Sequence, residues 1–108
     1  MGNPVYQLTS AVGTATPISL DWTISPFNAS FAVELQGNTT AQFGVQYTLD
    51  DVNGTITPTW FYDSNVGQNS TASAAGNYMF PVRSVRLVTA NLSANGTIVF
   101  AVLQGLPS

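Results

Sequence analysis

Seven side chains carry formal charge in this chain, and they bound nearly all the chemistry it could perform. The acids are Asp21, Glu34, Asp50, Asp51 and Asp63, the bases are Arg83 and Arg86, and Lys, His and Cys are absent. A Ser-His-Asp or Cys-His nucleophile is therefore impossible, and a Ser-Lys pair is excluded. Zinc and most transition metals lose their usual ligands. Two carboxylates flanking a glycosidic bond would suffice for hydrolysis. However, Asp21 and Glu34 read as solubilising strand residues, and Asp50-Asp51 sits at a turn, where Asp bonds its own backbone. Calcium needs only oxygen ligands, which Asp50, Asp51, Asn53 and the carbonyls near Gly54 could supply in part. Their spacing does not match the EF-hand pattern, and turn chemistry accounts for them without a metal. The expectation is a protein that is no enzyme and holds no metal or cofactor.

Binding chemistry is better represented. Trp60, Phe61 and Tyr62 run consecutively, and Tyr78 and Phe80 follow beyond a loop. Aromatic residues and Arg are what interface hot spots tend to use. In a strand, if Trp60 and Tyr62 face inward then Phe61 faces out, and vice versa, so one large ring seeks cover outside the simplest core. Ordinary core filling with a capped sandwich edge is the plainer account of the same residues; stacking on a sugar is another. Arg83 shares a face with Val85 and Leu87, placing its stem at a rim, and Arg86 lies on the opposite side. With so few charges each Arg is expected to pair with an acid, Asp63 or Glu34. The candidate protein interface is thus Trp60, Phe61, Tyr62, Tyr78, Phe80, Arg83 and Arg86.

Composition restricts the partners. The net charge is -3, and charged residues make up 6% of the 108 residues against 44% hydrophobic. Solubility must come from amides and hydroxyls, and a nearly uncharged surface associates readily with neighbours. Nucleic-acid and membrane-surface binding need clustered basic residues, which two Arg on opposite strand faces do not provide. No apolar stretch approaches a transmembrane length. Residues 1–6 have neither a basic region nor an apolar run and do not read as a secretion signal. Six Asn-x-Ser/Thr triplets, at Asn28, Asn38, Asn53, Asn69, Asn91 and Asn95, are read as turn chemistry in preference to glycosylation.

The elements that would position these groups are strands. Residues 17–24 alternate with Ile18, Leu20, Trp22 and Ile24 on one face, and residues 28–36 with Phe31, Val33 and Leu35. Residues 42–49 follow, with Phe43, Val45, Tyr47 and Leu49 on the apolar face. Asn53-Gly54 tolerates positive φ in the next turn. Residues 57–62 form a short aromatic strand that Pro58 confines to a start or edge. Residues 80–89 bring Val85 and Leu87 inward. Residues 97–104 are apolar on both faces, as for a central covered strand or one whose outer face meets another subunit. Residues 4–9 add an edge strand, and residues 63–77 read as a long irregular loop. Without helical periodicity, the prediction is one all-β domain over residues 1–108, an antiparallel jelly-roll or Ig-like sandwich of seven to eight strands.

A set of segments resembles a known group of proteins. Gln46-Tyr47-Thr48-Leu49-Asp50-Asp51, Pro58-Thr59-Trp60-Phe61, Pro81-Val82-Arg83-Ser84-Val85-Arg86-Leu87, Gly96-Thr97-Ile98-Val99 and Gln104-Gly105 are similar to small virion proteins of tailed bacteriophages, especially capsid decoration (cement) proteins. The resemblance spans residues 42–105 and leaves residues 1–41 outside it. It implies a non-enzymatic protein on the capsid surface, made in the host cytoplasm. Its partners would be the major capsid protein and further copies of itself, bound across capsomer junctions. It implies no catalytic residue. A tail-associated adhesive or carbohydrate-binding module and a tail or connector component are the alternatives.

Overall fold

The computed structural model describes residues 5–21, 23, 27–64, 66, 67 and 69–104. Among these residues nine strands form: β1 (Val5–Thr9), β2 (Gly13–Thr14), β3 (Ile18–Ser19), β4 (Ala29–Leu35), β5 (Ala41–Thr48), β6 (Phe61–Tyr62), β7 (Ala74–Tyr78), β8 (Ser84–Leu92) and β9 (Ile98–Gln104). One sheet has the order β1-β9-β4-β7. The other has β2-β8-β5-β6, with β3 also paired to β8. All described pairings are antiparallel. First pairs with last, the next inward pair with each other, and so on to β5 with β6. This nesting is a hairpin rolled into two sheets, which is a jelly roll and not the Ig-like alternative. The nine strands fill eight positions, because β2 and β3 are one strand interrupted around Pro17, whose missing N–H cannot join the ladder.

The inner faces follow the period-two pattern. Phe31 and Val33 of β4, Phe43 and Val45 of β5, Val85 and Leu87 of β8, and Ile98, Phe100 and Val102 of β9 form one buried cluster. Phe31 stacks on Tyr78 at 5.7 Å and tilts against Phe100 at 6.1 Å. The thinnest dimension is 21 Å, which holds two sheets about 10 Å apart and, among the described residues, no third layer.

Several boundaries differ from the sequence pattern, each for a local reason. The strand expected over 17–24 keeps only Ile18–Ser19 with Leu20 half-buried behind it. Asp21 then accepts hydrogen bonds from the Thr23 amide and hydroxyl and turns the chain. Trp22 and Ile24, expected inward, lie outside the described residues. The aromatic strand shortens to β6 because residue 59 bonds to side chains: its N–H donates to Asp50 Oδ2 (2.8 Å) and its carbonyl accepts from Thr48 Oγ1 (2.7 Å). Leu49 is exposed, since the chain leaves the sheet at Thr48. The positive φ falls on Asn95 (59°) in the β8–β9 turn and not on Asn53, whose amide donates to Asp51 Oδ1 instead.

The largest correction concerns residues 63–77. Their first part is a pinned turn, in which buried Asp63 donates its N–H to the Val45 carbonyl and accepts from the amides of Val66 and Gly67. Val66 joins the core, and Ser70 bridges Phe43. The last part is β7. Its low side-chain bulk hides a strand from pattern reading, yet the fold requires that smallness. A Cβ at Gly76 would sit 2.5 Å from Phe31 Cε2.

Amides and hydroxyls do the cross-linking that charges usually do. Gln104 and Asp21 exchange hydrogen bonds between side-chain amide and backbone, 83 residues apart. Asn77 donates to Asn28 and Ser30, and Asn91 to Gln42. Thr40 and Ser93 tie the β4–β5 and β8–β9 connections together.

Candidate interaction surfaces

The seven residues singled out by type do not make one surface. They divide over both sides of the second sheet. Tyr62, Gln46 and Arg86 are opposed across β6, β5 and β8, so their side chains share the outer face. Arg86 Nε donates to Gln46 Oε1 at 2.7 Å, and its guanidinium carbon stands 4.0 Å over the Trp60 ring. Burial lowers the Arg86 pKa, and the nearby Tyr62 partly opposes that shift. Arg86 has therefore found a ring and an amide in place of the expected acid. Tyr62 lies over Gly44, where an added Cβ would meet Tyr62 Cε1 and the Gly67 carbonyl at 2.8 Å. This outer face is covered by the chain's own residues, which leaves one side of the Trp60 ring taken and weakens the sugar-stacking alternative.

Phe61 points the other way, onto Tyr47 at 5.8 Å, with Phe80 on the far side of Tyr47 at 5.8 Å and Tyr78 at 5.3 Å. Tyr78 is core, contrary to its place in the candidate interface. Its hydroxyl is cut off from water beside the Asp63 carboxylate, and burial first, then Asp63, push its pKa above the usual tyrosine range. Tyr47, expected only as a core residue, is the hub that joins these rings. Phe61 and Phe80 are half-exposed, with Met79 open beside them, so an aromatic edge does face solvent where β6 and β7 end the two sheets.

Arg83 meets Asp51 at 3.6 Å, at the sandwich rim as its position among apolar neighbours implied. Both groups are substantially exposed, so the pair contributes little to stability. The acids once considered for calcium are engaged in turn geometry: Asp50 Oδ2 with the Thr59 amide, Asp51 Oδ1 with the Asn53 amide.

A second surface was legible only in part. Register places Tyr6 opposite Ala101 and Leu8 opposite Val99, with Ala101 facing Ala32, Leu103 facing Ser30, and Ala32 facing Ala75. Ser30 apart, they form an apolar strip across the outer face of the first sheet. Tyr6 is 64% and Leu8 75% exposed. β1 thus turns Tyr6 and Leu8 to solvent and Val5, Gln7 and Thr9 toward the inner side, where Gln7 Nε2 donates to the Thr16 carbonyl. The only charge in this register is Glu34, which accepts from Gln36 at 3.0 Å. The signal in the sequence was the two-sided apolarity of residues 97–104. Of its two readings, the structure leaves the outer side uncovered by any third layer among the described residues.

No protein-family model and no curated protein matches the sequence. Among solved structures, a chain from the work "Bacillus endospore appendages form a novel family of disulfide-linked pili" is similar in fold, with a TM-score of 0.51 at 16% identity, covering 99% of this chain and 88% of that one. At that identity the likeness concerns the fold, an all-β sandwich.

Proposed function

We propose that this protein is a non-enzymatic structural subunit that works in many copies, binding the outside of a bacteriophage capsid and stabilising capsomer junctions. The observation that carries the reading is the largely apolar outer face of the first sheet, built from Tyr6, Leu8, Val99, Ala101 and Leu103 with Glu34 as its one charge among the described pairings. Exposed apolar strips of this kind mark contact with other proteins. The sequence resemblance to decoration proteins over residues 42–105 supplies the shell as the partner. Affinity in such a role grows by repetition, because each copy or oligomer touches several capsomers at once. A chain without Cys also has no thiol to oxidise outside a cell.

The test is to add the purified chain to expanded capsids that lack decoration. Saturable, stoichiometric binding and a higher disruption temperature are expected. Binding to tails and not to heads defeats the reading.

A self-assembling tail, connector or filament subunit is the second reading, favoured by the fold likeness to a pilus protein. That neighbour's pili are disulfide-linked, whereas this chain has no Cys, so any polymer of it must be held by non-covalent contacts alone. Rings or tubes grown from the pure chain, without capsids, would favour this reading.

A further inference from the structure

We infer that the two edges of the first sheet join copies of this chain head to tail, β7 of one copy pairing with β1 of the next. This deepens the reading that the chain works in many copies, and names the contact between them.

Strand direction makes the contact possible. In the order β1-β9-β4-β7 every neighbour is antiparallel, so β1 and β7, three steps apart, run in opposite directions. A second copy in the same orientation therefore offers its β1 antiparallel to the first copy's β7. Such a contact uses two different edges and leaves one of each free. It is heterologous, and it propagates into a ring or an open chain.

The edges themselves match. Both strands are five residues long. β1 carries bulky exposed Val5, Tyr6 and Leu8, whereas β7 begins Ala74, Ala75, Gly76 and has little side chain to oppose them. Neither strand contains a charge or a Pro. Natural sheet edges are normally guarded by Lys, Pro, bulges or shortness, because an open edge templates another strand. The second sheet follows that rule: its edges are the two-residue strands β2, β3 and β6, with Pro17 and Pro58 close by. Only the first sheet leaves both ends long and unguarded among the described residues.

The experiment uses the full chain without capsids. Sedimentation velocity over rising concentration should show species that lengthen beyond a dimer. Hydrogen exchange of residues 5–9 and 74–78 should slow together as they form. Leu8→Lys and Ala75→Lys should each weaken association by at least about tenfold, since each places an ammonium at the contact. Their melting temperatures should match the parent, both sites being exposed on edge strands. An equimolar mixture of the two variants keeps one intact edge on each partner and should stop at dimers. A chain that stays monomeric at every concentration overturns the contact. So does association with no exchange protection at 74–78, or an Ala75→Lys variant that assembles like the parent. A monomer that still saturates capsids would overturn this contact and leave the decoration reading standing.

Discussion

Gly76→Ala is the sharpest probe of how this sandwich is closed. β7 is held to β4 by five opposed residue pairs, with Gly76 facing Phe31. The Phe31 ring fills the space beside that glycine, and an added Cβ would fall 2.5 Å from Cε2 and 2.6 Å from Cζ. Phe31 cannot easily retreat: it is 3% exposed and lies between Tyr78 and Phe100. Overpacking of this sort costs about 1–3 kcal/mol. Loss of glycine's freedom in the unfolded chain returns roughly 0.4–1 kcal/mol. A net loss of about 1–2 kcal/mol lowers the melting temperature of a domain this size by roughly 5–15 °C. Phe31→Leu removes Cε2 and Cζ, so in that background Gly76→Ala should become neutral or stabilise by up to about 1 kcal/mol. Urea titrations of the parent, both single variants and the double variant give the coupling energy, expected at about 1–3 kcal/mol. The reasoning is refuted if alanine at 76 stabilises the native background, or costs the same in both.

Four further outcomes follow from the structure. Arg86→Ala strands the buried Gln46 carbonyl oxygen and uncovers Trp60, for an expected loss of about 1–3 kcal/mol by urea unfolding, whereas Arg86→Lys restores the charge without the planar stack and should fall between. Tyr78 has its folded pKa raised above the unfolded value of 10.0, so its contribution is complete below pH 10 and declines as pH rises beyond it; thermal melts of Tyr78→Phe should lose that alkaline decline. Asp21, held low by Thr23, acts at the other end: its contribution is present above 3.8 and disappears as pH falls through the depressed folded value, a dependence that Asp21→Asn should remove. Phe61→Ser should leave melting within about 1.5 kcal/mol of the parent, since it removes one half-exposed ring from Tyr47, yet abolish attachment if the aromatic edge contacts the shell; a collapsed melting temperature would show it to be core.

Outside residues 17–24, the sheets were legible where alternation involved large side chains. Phe31 and Val33, Phe43 and Val45, Val85 and Leu87 face inward as their spacing requires. Strand β7 escaped because Ala, Gly and Asn carry no apolar periodicity, and its place is fixed by the bulk of Phe31 opposite. β2 escaped because two residues, Gly13 and Thr14, are too short a pattern to see. The candidate site was harder to read for a related reason: residue type picked out the seven as aromatic or cationic, but only pairing shows that Tyr62 and Arg86 gather with Trp60 on the outer face of the second sheet while Phe61 turns to its inner side against Tyr47. Tyr47 looked like any inward strand residue, and nothing in its neighbours marked it as the ring that gathers the others.

Low charge and open edges bear on each other. Charged chains can leave a sheet edge bare at little risk, because repulsion between copies keeps edges apart at low salt. Here two Arg and five acids spread over 108 residues leave almost no repulsion, and the available ion pair, Arg83 with Asp51, sits at a rim away from β1 and β7. Protection of an edge must then be steric. The second sheet has it, in short strands and neighbouring prolines, and the first sheet does not. If the first-sheet edges were merely neglected, a Lys at Leu8 or Ala75 would change nothing except solubility. If they are contacts, either Lys should end growth, while the two variants together still make a pair.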